Sequence, residues 1–317
     1  MKILITESNG YSKEAISIYE SIGEVILGHS NLEIIEKNLP STDILVIKLN
    51  FNFGLEHLEK AKNLKFIVTS TTGTNHIILP KNSEINIVSL QNETEFLKNI
   101  TPTAELTWAL ILALHRKLTS SIESVKNGEW SRDKFIGEEI KGKKIGILGL
   151  GRIGQMVGKI AKAFEMEFLF FDKEGKVLEG NDAFKNVSLD RLFLESDILT
   201  IHIPSSKDNI GFVNKNLLSK MKVNSYLINT SRGDVLDEEF LLEMLAKKKI
   251  SGAALDVLSD EILGGENWTK INKLINSDFL GKNLLITPHI GGACKESMKK
   301  TENFVANKLR GLVNSLK

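Results

Sequence analysis

In the second half of the chain, three side chains of complementary chemistry each follow a short apolar run. They are Arg232 in INTSRG, Glu261 four residues past Val257, and His289 in LLITPHIGG. Each alone has an ordinary explanation: an arginine near an aspartate forms a surface pair, a loop glutamate is solvated, and a histidine after proline packs in a turn. As a set they supply what hydride transfer to a 2-keto acid requires. A cation holds the carboxylate, an acid protonates the carbonyl oxygen, and a carboxylate keeps that acid charged.

A hydride needs a carrier, and residues 143–172, KKIGILGLGRIGQMVGKIAKAFEMEFLFFD, have the pattern of a dinucleotide site. An apolar run through Ile145, Ile147 and Leu148 enters Gly149, Gly151 and Gly154, spaced GxGxxG. Ile153, Met156, Val157, Ile160, Ala161 and Phe164 then recur at helical period, and a second apolar run, Phe168–Phe171, stops at Asp172. In such a site the first glycine makes the tight turn, the second lets the backbone approach the pyrophosphate, and the third allows helix and strand to pack closely. The pyrophosphate rests on the N–H groups and positive dipole end of the helix, and the acid bonds the ribose hydroxyls. GxGxxG alone is a weak signal. Strand, turn, helix, strand and acid in that order make it specific. Asp172 argues for NAD over NADP, because its carboxylate repels a 2′-phosphate.

Composition narrows the partner. Lys and Arg total 41 against 40 Asp and Glu, so no general basic field draws nucleic acid or an anionic membrane, and a small molecule is expected instead. Hydrophobic content is 42%, and no apolar run approaches the roughly 20 residues that span a bilayer. MKILITESNG reads as a first strand and not as a signal peptide. The single cysteine, Cys294, precludes an internal disulfide and fits a reducing cytoplasm. No metal is called for.

The elements that must position these groups alternate along the chain. In residues 1–98 the strand candidates are KILIT, EVILG, DILVIK, KFIVTST and INIVSL, with helices over Ser12–Tyr19, Leu32–Asn38 and Gly54–Ala61. After Asp172 the alternation resumes with helices at Leu189–Glu195, Leu217–Met221 and from Asp237 to Lys248. The strands there are Asp197–Ile203, Ser225–Asn229 and Ser251–Val257. Such alternation argues for parallel sheets with crossover helices. Lys48 ends the third strand and Thr71-Thr72-Gly73-Thr74-Asn75 follows the fourth, where ligands of open α/β sheets collect. Between the halves, Thr101–Leu118 begins as a capped helix that is apolar almost all round from Leu106 to Leu114. It implies a contact between domains or subunits. Its pattern fades at Thr119-Ser120-Ser121. Residues 262–283 have weak periodicity and read as a long excursion.

At this point the chain resembles the D-isomer-specific 2-hydroxyacid dehydrogenases, the family of phosphoglycerate dehydrogenase, D-lactate dehydrogenase and the glyoxylate and hydroxypyruvate reductases. The resemblance rests on eight motifs in family order: GTN (73–75), AEL (104–106), NGEW (127–130), GLGRIG (149–154), HIP (202–204), NTSRG (229–233), AALDV (253–257) with Glu261, and TPHIGG (287–292). It implies an α/β protein of two doubly wound parallel-sheet domains. A Rossmann dinucleotide-binding domain, 100–287, would be inserted into a flavodoxin-like substrate domain, 1–99 and 288–317, with the active site in the cleft between them.

The resemblance also implies roles. Arg232 would bind the substrate carboxylate, His289 would donate the proton, and Glu261 would pair with His289. Gly149, Gly151, Arg152, Ile153, Gly154, Asp172, His202, Pro204, Thr230, Ser231, Asp256, Gly291 and Gly292 would line the NAD site, Asp256 at the nicotinamide amide. Backbone amides around Thr72 and Gly73 would reach the substrate carboxylate. Lys48 falls near a position that in phosphoglycerate dehydrogenases meets the substrate phosphate, which brings in 3-phosphoglycerate as a possible substrate. A homodimer is expected, from the helix Leu106–Leu114 and its family counterpart.

Three departures stand out. Ile262 follows Glu261 where the family usually has Pro, Cys294 stands where Thr is common, and Asn75-His76 where Asp-Asn is common. No regulatory domain is expected beyond Lys317. The rival reading is an NAD(H)-sensing protein of the corepressor type. A methyl transferase is disfavoured by the Arg, Glu and His set.

Overall fold

The structure, a computed structural model, describes residues 1–49, 51–173, 185–259, 261 and 268–315. The chain divides into two compact units, Met1–Ile100 with Ala293–Lys317, and Thr101–Gly292. Among the described residues no helix is long and apolar enough to cross a membrane.

The first unit runs β1 (Lys2–Ile5), α1 (Lys13–Glu20), β2 (Glu24–Leu27), α2 (Leu32–Asn38), β3 (Ile44–Ile47), α3 (Leu55–Lys60), β4 (Phe66–Thr69), β5 (Asn86–Val88) and α4 (Thr94–Leu97). Its sheet is parallel in the order β2-β1-β3-β4-β5, the flavodoxin-like order. Because strand side chains alternate between faces, Ile3, Ile5, Ile44, Val46 and Val68 build one core while Leu4, Leu45, Ile47 and Ile67 build the other. Ser12 and Asn31 cap α1 and α2 by accepting backbone N–H bonds.

The second unit runs α5 (Pro102–His115), α6 (Leu118–Lys126), β6 (Lys144–Leu148), α7 (Arg152–Ala163), β7 (Glu167–Phe171), β8 (Lys185–Asn186), α8 (Leu189–Glu195) and β9 (Ile198–Ile201). It continues with α9 (Lys215–Ser219), β10 (Tyr226–Asn229), α10 (Glu238–Ala246), β11 (Gly252–Leu255), α11 (Trp268–Ile271) and β12 (Leu284–Ile286). The chain then returns to the first unit as α12 (Lys295–Ser315), whose Val305, Ala306, Leu309 and Val313 complete that unit's core. The second sheet has the order β12-β11-β10-β9-β6-β7-β8, every neighbour parallel. Read from its first strand it is the Rossmann order with one strand added, and its topological switch lies between β6 and β9. Both faces are covered, which is why its inner strands are apolar runs and not alternating ones.

The return to the first unit falls at Gly292/Ala293, five residues beyond the 287/288 boundary of the sequence reading. The reason is a set of hydrogen bonds to Asp256 just past β11. Its carbonyl accepts from the His289 N–H at 2.9 Å, and its carboxylate accepts from the Ile290 and Gly291 N–H groups at 2.9 and 2.7 Å. The turn carrying His289 therefore belongs to the second unit.

Two further expectations are corrected here. The helix from Leu106 to Leu114 is largely covered by its own unit: Thr107, Trp108, Leu110, Ile111 and Leu114 are buried, and Trp108 stacks on Phe164 and donates to the Val157 carbonyl. The apolar pattern also does not fade into a polar linker. Lys117 takes a left-handed conformation (φ 50°) that ends α5, and α6 starts at once with Leu118, Ile122 and Val125 on an open face. Of the 262–283 excursion, residues 262–267, Ile262 among them, lie outside the described residues, while Leu274 packs into the core.

Candidate active site

The glycine turn has the geometry that each glycine's position demands. Gly149 has φ +94°, and a Cβ there would lie 2.9 Å from the His202 carbonyl oxygen, so conformation and space both require glycine. A Cβ at Gly154 would run into the Gly149 carbonyl, as expected where helix and strand pack closely. Gly151 differs, because it caps α7 in ordinary negative-φ backbone and a Cβ on it would meet nothing within 4 Å. The fold does not need glycine there, whereas a group lying across the helix N-terminus does. Asp172 follows β7 directly, and its Oδ2 accepts the Leu150 N–H at 2.8 Å, which ties the acid to the glycine turn. Beside it, desolvation lowers the pKa of the Arg152 guanidinium. These residues fit a dinucleotide.

Beyond β9, His202 sits with Nε2 2.7 Å from Thr200 Oγ1, and burial pushes its pKa down to about 3, leaving it neutral. Pro204, two residues on, is exposed. Past β10 the buried Asn229 shapes the NTSRG turn: its Oδ1 accepts from the Ser231 N–H (3.0 Å) and hydroxyl (2.8 Å), and its Nδ2 donates to the Arg232 carbonyl (2.8 Å). The Thr230 hydroxyl is 2.8 Å from that of Thr107 and fastens the turn to α5. Arg232 is half-buried. Burial lowers its pKa, while the nearby carboxylates of Glu261 and Asp234 act the other way.

His289 and Glu261 are in direct contact, Nδ1 to Oε1 at 2.6 Å, and both are mostly buried. Oε2 of Glu261 accepts the Leu258 N–H at 3.0 Å, so the carboxylate is aimed from the end of β11. Asp256 is 1% exposed, and its carboxylate also accepts the Thr287 hydroxyl at 2.5 Å. Burial raises its pKa, against those hydrogen bonds and the charge of His289. A Cβ at Gly291 would lie 2.9 Å from Asp256 Oδ2, whereas Gly292 faces open space. The second unit thus brings Arg232 within electrostatic reach of a bonded His289–Glu261 pair, in the same unit as the glycine turn.

Thr72, Gly73 and Lys48 lie in the first unit. Thr71 Oγ1 donates to the Gly73 carbonyl at 2.7 Å and sets the turn after β4, while Lys48 Nζ is 2.7 Å from Glu302 Oε1. Sequence reasoning overlooks Glu302, and it also overlooks Asn229 and Thr287 as fasteners. A polar Asn closing a fully buried strand is the signal that was available for the first of these.

Residues 108–291 match the family model described as D-isomer specific 2-hydroxyacid dehydrogenase, NAD binding domain. The chain belongs to that family. It is 33% identical over 320 residues to a D-3-phosphoglycerate dehydrogenase of Archaeoglobus fulgidus, a match covering 100% of this chain but 58% of that enzyme. The chain thus spans little more than half the length of that relative. It is 32% identical over 277 residues to a hydroxypyruvate reductase of Thermotoga maritima, covering 87% of each. Among solved structures it resembles a D-lactate dehydrogenase from Aquifex aeolicus complexed with NAD and lactic acid, at 26% identity and a TM-score of 0.79, covering 99% of this chain and 96% of the other. The match to the NAD-binding domain spans GLGRIG, Asp172, NTSRG and His289.

The empty space beside Gly151 yields a test of where the dinucleotide lies. Gly151→Ala should leave the melting temperature unchanged and weaken NADH binding by about tenfold or more, read by fluorescence titration. Wild-type affinity in that variant would mean that the pyrophosphate does not cross Gly151.

Proposed function

We propose that the chain is an NAD-dependent dehydrogenase that interconverts a D-2-hydroxy acid and its 2-keto acid. The observation that carries this reading is the 2.6 Å contact between His289 Nδ1 and Glu261 Oε1, in a unit that also holds the GLGRIG turn. Bound NADH supplies the hydride. Arg232 holds the substrate carboxylate, which a guanidinium can grip with two parallel N–H bonds. With Nδ1 bonded to Glu261, proton delivery falls to Nε2 of His289, which protonates the carbonyl oxygen as the carbon is reduced. Glu261 offsets the charge of the imidazolium and fixes the ring. His202, kept neutral by burial, offers no imidazolium to act as a second acid. We assign the protein to the cytoplasm on its single cysteine.

We further propose a homodimer, now on α6 more than on α5. Leu118, Ile122 and Val125, spaced four and three apart, are 50%, 49% and 52% exposed, and the nearby Trp130 and Ile136 are 91% and 69% exposed. Apolar exposure clustered in this way marks an interaction surface, and symmetric pairing is the commonest means of covering it.

Turnover of NADH with a panel of 2-keto acids tests the function, and no turnover with any of them would leave the sensing reading. His289→Asn should lose roughly 10²- to 10⁴-fold in rate, with NADH affinity nearly unchanged. In the wild type, reduction should slow and oxidation should quicken as pH rises, because one proton is taken up with the hydride. Near-full activity in His289→Asn would remove the catalytic assignment even with fold and cofactor right. For the cofactor, Asp172 should make kcat/KM with NADH exceed that with NADPH; parity or the reverse defeats the assignment. In sedimentation at micromolar concentration the species should have twice the 35.3 kDa chain mass, and Ile122→Glu should drive it toward monomer. A monomeric wild type refutes the dimer.

A further inference from the structure

An arginine beside carboxylates ordinarily pairs with them, because its planar fork of donors matches their oxygens. Arg232 does not. Glu261 and Asp234 are the two carboxylates whose charge acts on it. Yet among the described residues its guanidinium forms no ion pair, and its one hydrogen bond runs from Nη1 to the Ser231 carbonyl at 2.6 Å. The backbone that carries it is braced by Asn229, which is 0% exposed, accepts from Ser231 and donates to the Arg232 carbonyl.

Both carboxylates are held by other donors. Oε1 of Glu261 contacts His289 Nδ1 at 2.6 Å and Oε2 accepts the Leu258 N–H, so neither oxygen is idle. Asp234 is held less fully. It lies in the single turn Gly233–Val235, where its carbonyl accepts the Gly211 N–H at 2.8 Å. Its Oδ2 accepts the Ser205 hydroxyl, whereas Oδ1 is buried without a hydrogen-bond partner. A buried carboxylate oxygen with no donor is costly, and a guanidinium within electrostatic reach would satisfy it. One hydroxyl therefore stands between Asp234 and an ion pair that would occupy Arg232.

We propose that Ser205 is a positioning residue for Arg232, holding Asp234 off the guanidinium so that the fork stays open to a substrate carboxylate. The proposal rests on the dehydrogenase reading. Neither Ser205 nor Asp234 belongs to the motifs that carry the family resemblance. In NADH-dependent reduction of a 2-keto acid, Ser205→Ala should raise KM by about tenfold, the worth of a hydrogen bond to a charged group, with kcat and NADH affinity nearly unchanged. The double variant Ser205→Ala/Asp234→Asn should restore the wild-type KM, which the loss of a merely structural bond would not do. An unchanged or lowered KM in Ser205→Ala overturns the proposal, as does a raised KM that Asp234→Asn leaves in place or that NADH affinity follows. Should Ser205→Ala not fold, Asp234→Asn alone decides. A KM at or below the wild-type value supports the proposal, and a raised one means that Arg232 needs the carboxylate and ends it. If no 2-keto acid is reduced, the dehydrogenase reading fails, and the restraint on Asp234 is judged separately by the side-chain NMR signals of Arg232, identified by their absence from Arg232→Lys. A shift in Ser205→Ala that the double variant reverses supports the restraint. No shift, or one that the double variant leaves in place, ends it.

Discussion

The position of His289 depends on one buried carboxylate. Asp256 stands at the end of β11 with 1% exposure, and an ionised group in such a place is tolerable only if its acceptors are filled. Two N–H groups and a hydroxyl from the TPHIGG turn fill them, so satisfying the charge and shaping the turn are one act. The turn needs such a hold, because His289 has φ 52°, a left-handed conformation that costs a residue with a Cβ energy and persists only where surroundings over-determine it. Removing the carboxylate would leave three donors without their acceptor and a strained residue without restraint. This explains why an acid sits beyond an otherwise apolar strand, and why the turn travels with the second unit.

Around that point the site is built from strand ends. β10 gives the NTSRG turn and Arg232, β11 gives Asp256 and the approach to Glu261, and β12 gives Thr287 and His289. These three strands are consecutive neighbours, so groups distant in sequence gather along one edge of the sheet without a special loop. The glycine turn after β6 lies at the reversal of the same sheet. One parallel sheet thereby holds the glycine turn and the bonded His289–Glu261 pair in a single unit.

Much of the fold is legible from local pattern. The five strand runs of the first unit and the apolar runs of the second are sequence-continuous, and the Gly149-to-Asp172 stretch carries its own start, turn and stop. The contact of His289 with Glu261 is legible only through resemblance, since nothing local links residues 28 apart across an excursion of weak periodicity. What escapes the sequence reading is set by single backbone events or by distant partners. α6 is missed because one left-handed residue, Lys117, restarts a helix where polar residues suggest a linker. The domain return is misplaced by five residues because hydrogen bonds to Asp256, not composition, decide it.

Lys48 is the harder case, and it shows where a signal could have been sought. A lysine at a strand end reads as solvated or as a ligand cation, and its partner lies 254 positions away on α12. Yet α12 announces that partner in its own register. Val305, Ala306, Leu309 and Val313 form the helical stripe that completes the first unit's core, and Glu302 stands three and four residues before the first two. It is a carboxylate on a buried stripe. Such a group is held only with a counter-charge or several donors, so Glu302 in that register demands a cation from the face it meets. The end of β3 meets that need with Lys48, whose Nζ lies 2.7 Å from the carboxylate.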